Sequence, residues 1–390
     1  MSKLKSCLNI EDLREQSKRI LPRGVFEYMD FGSEDLVALN NNREAFKNIK
    51  LFSRVMTDVS AINLKKTLFG KELTLPLAVA PTAISGLCWH EGEIALAKAA
   101  REAGVPFILS TNSITPLEKV ASEAGGNLWF QLYMWREREL SYRLVERARA
   151  SGYNTLVLSA DFGRGSLREK IKRHGFSVPY RISARSVFDM LTHPRWFVTV
   201  MLRYLMSTGM PRNENFPEEY KAKITADPSA RSALRADSLH WGDLQELRKR
   251  WNGPLLLKGI THPDDARLAL KYGADGVVIS NHGGRNLDSS VAPIDALPLI
   301  MDAVGGKMTV ILDSGIRRGS DIAKALAIGA DAALVGRAPL YGITVGGQEG
   351  ALHAIKLLAN ELEKTMAFLG CRNVDELNSS LLFKKISEHD

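Results

Sequence analysis

The 390-residue chain holds only three cysteines, Cys7, Cys88 and Cys371, and no CxxC pair. Cysteines so few and so scattered exclude a disulfide framework and a thiolate zinc site, and they point to a reducing, cytoplasmic home. No window approaches the ~18 uninterrupted apolar residues that a spanning helix needs. Residues 1–12 lack the apolar core of a signal peptide. No strand-like run leads into GxGxxG, so the dinucleotide fingerprint of doubly wound sheets is missing. There is no linker, low-complexity tract or internal repeat, and no nucleic-acid recognition motif appears.

Charge is present but uneven. The formal net charge is +8, and the stretch 162–216 carries nearly all of it. Ten Lys/Arg (164, 168, 170, 172, 173, 181, 185, 195, 203, 212) stand there against Glu169, Asp189 and Glu214, a net +7. Its middle interleaves Val187, Phe188, Met190, Leu191, Trp196, Phe197, Val200, Met201, Leu202 and Leu205 with Arg195 and Arg203. Such a composition suits an anionic membrane surface, with an active-site loop or a subunit contact as the competing reading.

Eight short apolar runs recur at 75–80, 105–109, 128–132, 155–160, 254–258, 276–280, 308–313 and 332–336. Amphipathic helical stretches separate them, several ending in a glycine suited to a helix C-cap: Gly104, Gly152, Gly273, Gly329. Continuous apolar strands alternating with helices predict a parallel sheet covered outside and closed as a (β/α)8 barrel; a doubly wound sheet is the alternative. The expected layout is one domain over 1–390, with a helical lead-in (1–70) and an insertion (162–240) between strands four and five.

In such barrels the C-terminal ends of the strands build the active site. Here every end carries polar chemistry: Thr82, Ser110 with Asn112, Gln131 with Tyr133, Ser159 with Asp161, Lys258, Ser280 with His282, Asp313 to Arg318, and Arg337. Singly, each has a plainer reading: a structural histidine, a turn-capping aspartate, a solvated lysine. Together they describe one site. Arg317 and Arg337 sit beside glycines after strands seven and eight, the usual phosphate site of barrels, so a phosphate-bearing cofactor is expected. His282 and Arg285, three residues apart, suit a base beside a carboxylate clamp.

The landmarks Ala80-Pro81-Thr82, Trp129 through Tyr133, Lys258-Gly259, Ser280 through Asp288 and Asp313 through Gly319 resemble the FMN-dependent 2-hydroxy acid oxidases and dehydrogenases. That family includes glycolate oxidase, L-lactate dehydrogenase and mandelate dehydrogenase, and the insertion is most similar to the last two. The resemblance implies an FMN cofactor, an L-2-hydroxy acid substrate and a homotetramer. It implies His282 as base, Asp161 as its orienting partner, and Tyr133 on the substrate oxygen. Arg285, Arg168 and Tyr28 would hold the carboxylate, and Lys258 would stabilise the reduced flavin. Implied flavin contacts are Pro81, Thr82, Ala83, Ser110, Gln131, Ser159, Lys258, Ser280, Asp313, Ser314, Gly315, Arg317, Gly336 and Arg337.

The chain departs from the family pattern at Asn286, where Gln is usual, at Ser159, where Thr is usual, and at Asn112, at the substrate's side-chain end. The electron acceptor stays open between a membrane quinone, reached through residues 176–216 on the cytoplasmic face, and oxygen, which the small Ala83 would suit. Another FMN barrel enzyme and a non-catalytic binding barrel stay open as well.

Overall fold

The computed structural model describes residues 4–163, 165–173, 184–226 and 236–383, without the side chains of 172 and 184–186. Eight parallel strands close into a barrel. They are β1 (Leu77–Val79), β2 (Phe107–Ser110), β3 (Leu128–Leu132), β4 (Thr155–Ser159), β5 (Leu255–Ile260), β6 (Gly276–Ile279), β7 (Thr309–Leu312) and β8 (Ala332–Val335). All eight expected runs are strands, with ends moved by a residue or two. The four expected C-cap glycines have φ of +67° to +125°, a region where a side chain is strained.

The inward-facing residues, including Ala78, Ile108, Trp129, Val157, Leu256, Val278, Ile311 and Leu334, form a closed interior cluster. A second, larger cluster lies between the strands and the outer helices. This is why the strands read as unbroken apolar runs: both faces are buried. Leu68 and Leu73, from a hairpin of Lys66–Leu68 and Lys71–Leu73, join the interior cluster. The lead-in is therefore not wholly helical. It holds α1 (Ile10–Ile20), α2 (Arg23–Asp30) and α3 (Val37–Asn48), then this hairpin. A two-residue strand, Lys50–Leu51, also pairs with Leu382–Phe383 near the other chain end.

The lead-in is tied to the barrel by buried polar contacts. Arg14 makes a two-point contact with Asp30 (2.9 and 2.7 Å), and the Tyr341 hydroxyl donates to the same carboxylate at 2.5 Å. Asp288 accepts from the N–H groups of Asp35 and Ala38 at the start of α3. The last acidic residue of the 280–288 run is thus a helix cap rather than a reactive group.

In the insertion, residues 194–207 form one continuous helix with a π-helical turn at Phe197–Met201. Trp196, Val200, Met201 and Tyr204 are buried. The Trp196 indole donates to Leu87 O (2.7 Å), and the Tyr204 hydroxyl accepts from Glu91 N (3.0 Å). This corrects the membrane-facing assignment of Trp196, Val200 and Met201: they pack on the barrel. Of the basic and apolar stretch, Arg164 and residues 174–183 lie outside the described residues.

Candidate active site

Register brings the polar strand ends to one level. Ser110 pairs with Gln131, and Ser159 pairs with Lys258. At this level these residues hydrogen-bond to one another. Ser110 Oγ donates to Gln131 Oε1 (2.9 Å), Gln131 Nε2 to Ser159 Oγ (3.0 Å), Lys258 Nζ to Ser280 Oγ (2.8 Å), and Ser280 Oγ to Asp313 Oδ2 (2.7 Å). Ser110, Gln131 and Ser280 were expected as direct flavin contacts. They are buried at this level and tied to neighbouring strand ends, and Gln131 uses only one of its two amide N–H groups there.

Lys258 also pairs with Asp313 at 2.8 Å, with both side chains almost excluded from solvent. Burial alone would lower the lysine, but Asp313 and Asp161 raise it above its usual range. Asp313 is held low despite its own burial, chiefly by Lys258. Asp313 thus fixes a charged ammonium at the cavity wall, which it also lines.

A bulge at Gly259 interrupts the pairing of β5 with β6. Gly259 has φ +103°, and a Cβ there would come within 2.5 Å of Asp161 Cγ. The missing side chain is what lets Asp161 seat against the strand end. His282 follows β6 in a left-handed conformation, φ 57°, which costs of order 1–3 kcal/mol for a residue with a Cβ. That turn sets the imidazole between two partners: Asp161 Oδ2 lies 3.0 Å from Nδ1, and the Tyr133 hydroxyl lies 3.2 Å from Nε2.

Against the upward push of burial, His282 and Lys258 hold the Asp161 carboxyl below its usual range, so it is ionised and can only accept. Nδ1 must then donate to it, leaving Nε2 as the lone-pair nitrogen on the cavity side. Burial and the Asp161 charge push the Tyr133 phenol up, keeping it a protonated donor. The Asn286 amide donates to Asp161 O at 2.7 Å. The shorter residue thus still braces the carboxylate's backbone.

Arg285 donates through Nη1 to Tyr28 O (2.7 Å) and Phe31 O (3.1 Å), the carbonyl end of α2. Its guanidinium lies 5.1 Å from the centre of the Tyr28 ring. Arg168 donates to Ser166 Oγ (3.0 Å) and Arg285 O (3.4 Å). Neither guanidinium pairs with a carboxylate among the described residues. Burial, together with Arg168 and Arg337, lowers Arg285 to about 9, a measure of unmet demand for an anion.

Arg337 is likewise held by the Met29, Gly283 and Phe31 carbonyls. With Arg317 it lines the far end of the cavity, where the helix Arg337–Leu369 begins. Two cations without carboxylate partners among the described residues, at a helix start, suit a phosphate.

The cavity of about 570 Å³ is bordered by Tyr28, Tyr133, Arg168, Lys258, His282 and Arg285. Pro81, Thr82, Ala83, Ser159, Asp313, Ser314, Gly315, Arg317, Gly336 and Arg337 lie along the rest of its border. Its size fits a cofactor with a small substrate. Asp161 stands behind His282, outside the lining. Several lining residues escaped the sequence reading: Met134 and Trp135 after β3, and Ile171, Asn213 and Phe216 from the insertion. Only the proximity of Trp135 to Tyr133 hinted at the first two.

A barrel whose strand ends join a histidine–aspartate pair, a buried lysine and a phosphate-ready corner suits an enzyme that holds a phosphate-bearing cofactor. Residues 17–384 match the model of the FMN-dependent dehydrogenases. The chain is 37% identical to (S)-mandelate dehydrogenase of Pseudomonas putida over 377 residues, 97% of this chain and 94% of that one. A crystal structure of (S)-mandelate dehydrogenase, described as a monotopic membrane protein, superposes with a TM-score of 0.92 at 37% identity, covering 97% of this chain and all of that one. A mandelate oxidase crystallised with 2-hydroxy-phenylacetamide gives 0.80 at 31% identity, covering 97% and 99%. The chain belongs to the FMN-dependent dehydrogenase family, and its cofactor is FMN. The doubly wound and non-catalytic alternatives are thereby closed.

Proposed function

We propose that this FMN-dependent dehydrogenase oxidises an L-2-hydroxy acid to the 2-keto acid and delivers the electrons to a membrane quinone. The observation that carries the substrate class is the pair Arg285 and Arg168. Both are without carboxylate partners among the described residues, in the same cavity wall as the His282–Tyr133 pair. A carboxylate neutralises the guanidiniums, which places the neighbouring hydroxyl-bearing carbon near Nε2.

FMN, when bound, supplies the two-electron chemistry of the oxidation. His282 Nε2 takes the proton released as the hydroxyl-bearing carbon becomes a carbonyl. Asp161 then faces an imidazolium it stabilises by charge. The Tyr133 hydroxyl donates to the substrate oxygen throughout, and Lys258 provides fixed positive charge at the cofactor side.

Attachment to the cytoplasmic face of the membrane is supported by exposed apolar residues beside exposed arginines in the insertion. Phe188 and Met206 are 68% and 79% exposed, near Leu191, Val198, Arg195 and Arg203. No helix among the described residues is long and apolar enough to cross a membrane, so attachment would be peripheral. A second reading, direct use of oxygen, is favoured by Ala83 in the cavity lining.

The deciding experiment is anaerobic bleaching of the flavin by a panel of L- and D-2-hydroxy acids. L-acids should bleach it, and a flavin untouched by all of them would overturn the assignment. Rapid mixing of the reduced enzyme with air or a soluble quinone separates the acceptors; fast reoxidation by air would favour oxygen.

A further inference from the structure

A 2-hydroxy acid presents a carboxylate, a hydroxyl and a side chain at one carbon. With the first at Arg285 and Arg168 and the second at His282 and Tyr133, the side chain is left with the remaining wall. That wall holds Asn112, Met134, Trp135, Asn213 and Phe216.

It is aromatic and apolar apart from two carboxamides. Asn213 is only 5% exposed, yet its side-chain amide has no hydrogen-bond partner among the described residues. The Asn112 amide also has none, and neither has the indole N–H of the buried Trp135. A buried amide left unsatisfied costs about 1–3 kcal/mol, so native structures rarely keep one without use.

The placement is rigid rather than accidental. Glu214 N donates to Ser113 O at 3.3 Å, which sets Asn213 against the strand end that carries Asn112. Two residues on, the fully buried Asn215 accepts from Leu117 N (2.9 Å) and donates to Thr115 O (3.4 Å). Phe216 packs edge-on against Trp135, with ring centres 5.4 Å apart. The returning segment of the insertion is therefore held to the barrel, and backbone and side-chain contacts just after Asn213 set its place at the cavity. Among the described residues no charged side chain belongs to this part of the wall, so an ionised substituent would be buried against them without compensation.

We infer that Asn112 and Asn213 read a neutral hydrogen-bonding group on the substrate's side chain: the preferred acid is an aryl-sized L-2-hydroxy acid bearing a hydroxyl. The inference rests on the 2-hydroxy acid reading above and names the substrate within it. An amide both donates and accepts, as a hydroxyl does, and a site built to pair with a hydroxyl rejects the analogue lacking it because its own groups are left unpaired.

The test compares mandelate with meta- and para-hydroxymandelate in anaerobic flavin reduction by the holoenzyme. Calorimetric Kd values for the corresponding 2-keto acids on the oxidised enzyme provide a second readout. At least one hydroxylated acid should exceed mandelate in kcat/KM by roughly 10- to 100-fold, with the same order in Kd. In Asn213→Leu or Asn112→Leu that ratio should fall to within about threefold of unity.

A wild-type ratio near or below one would overturn the inference, since a water would then be satisfying the amides. A ratio that survives both substitutions would also overturn it. If Asn213→Leu does not retain flavin, Asn112→Leu and the wild-type ratio still decide. Bleaching by L-2-hydroxy acids without a hydroxyl preference refutes this inference alone; no bleaching by any of them refutes the function itself.

Discussion

Replacing Asp161 by Asn changes a charge and almost nothing else. The Asn amide has the same shape, so the close approach to Gly259 persists, and Asn286 still donates to the backbone carbonyl of residue 161. The amide oxygen can also keep the Nδ1 hydrogen bond. What disappears is the negative charge 3.0 Å from Nδ1 when the imidazole has taken the substrate proton. A hydrogen bond to a charged partner contributes about 1.5–3 kcal/mol. At 1.36 kcal/mol per factor of ten, the variant should reduce its flavin about 10- to 150-fold more slowly. Asp161 does not line the cavity, so flavin content and substrate KM should change little. Anaerobic stopped-flow absorbance of the holoenzyme measures the rate. A loss below about threefold, or one that appears wholly in KM, would refute the role assigned to the carboxylate.

Lys258→Met should leave Asp313 buried without its cation and lower the unfolding free energy by about 3–5 kcal/mol; a urea midpoint unchanged from wild type would contradict the buried pair. Asp161 is depressed in the folded state, so the stability it contributes is present above the ordinary carboxylate range and lost as pH falls through its lower native value. The gap in unfolding midpoint between wild type and Asp161→Asn should therefore be full at neutral pH and close below about pH 4; a constant gap would show that charge is not its source. Serine at Phe188, Leu191 and Met206 together should release the protein from anionic vesicles at low salt while flavin reduction persists. Equal vesicle binding by the triple variant would remove the insertion from the attachment surface.

Much of this was legible because barrel strands are buried on both faces. Continuous apolar runs then announce them, and the polar residue closing each run marks the cavity side. The His282–Asp161 and Lys258–Asp313 pairs each join two such strand ends, and the second of these pairings was not foreseen. The hairpin Lys66–Leu73 went unread because a three-residue strand leaves too short an alternation to detect.

In the insertion a signal was present. Trp196, Val200 and Tyr204 recur every four residues, the spacing of one helix face, and that face is buried. Composition alone could not divide the inward face from the outward one. Asn213 had no local signal at all, since its place depends on Glu214 meeting Ser113, and Asn215 meeting Thr115 and Leu117, across the fold.

The carbonyl end of α2 holds Arg285 and Arg337, and the last of these contacts joins residues 308 apart in the chain. During synthesis at about 5–20 residues per second, the first helices made must wait roughly 15–60 s for the arginines that complete them. For that interval the apolar faces of α1 and α2 have no barrel to cover them, while the barrel's own strands accumulate one by one. The phosphate corner is thus among the last parts of the site to be made, and a ribosome-bound chain lacking its last quarter would hold Arg168 and Arg285 but neither Arg317 nor Arg337.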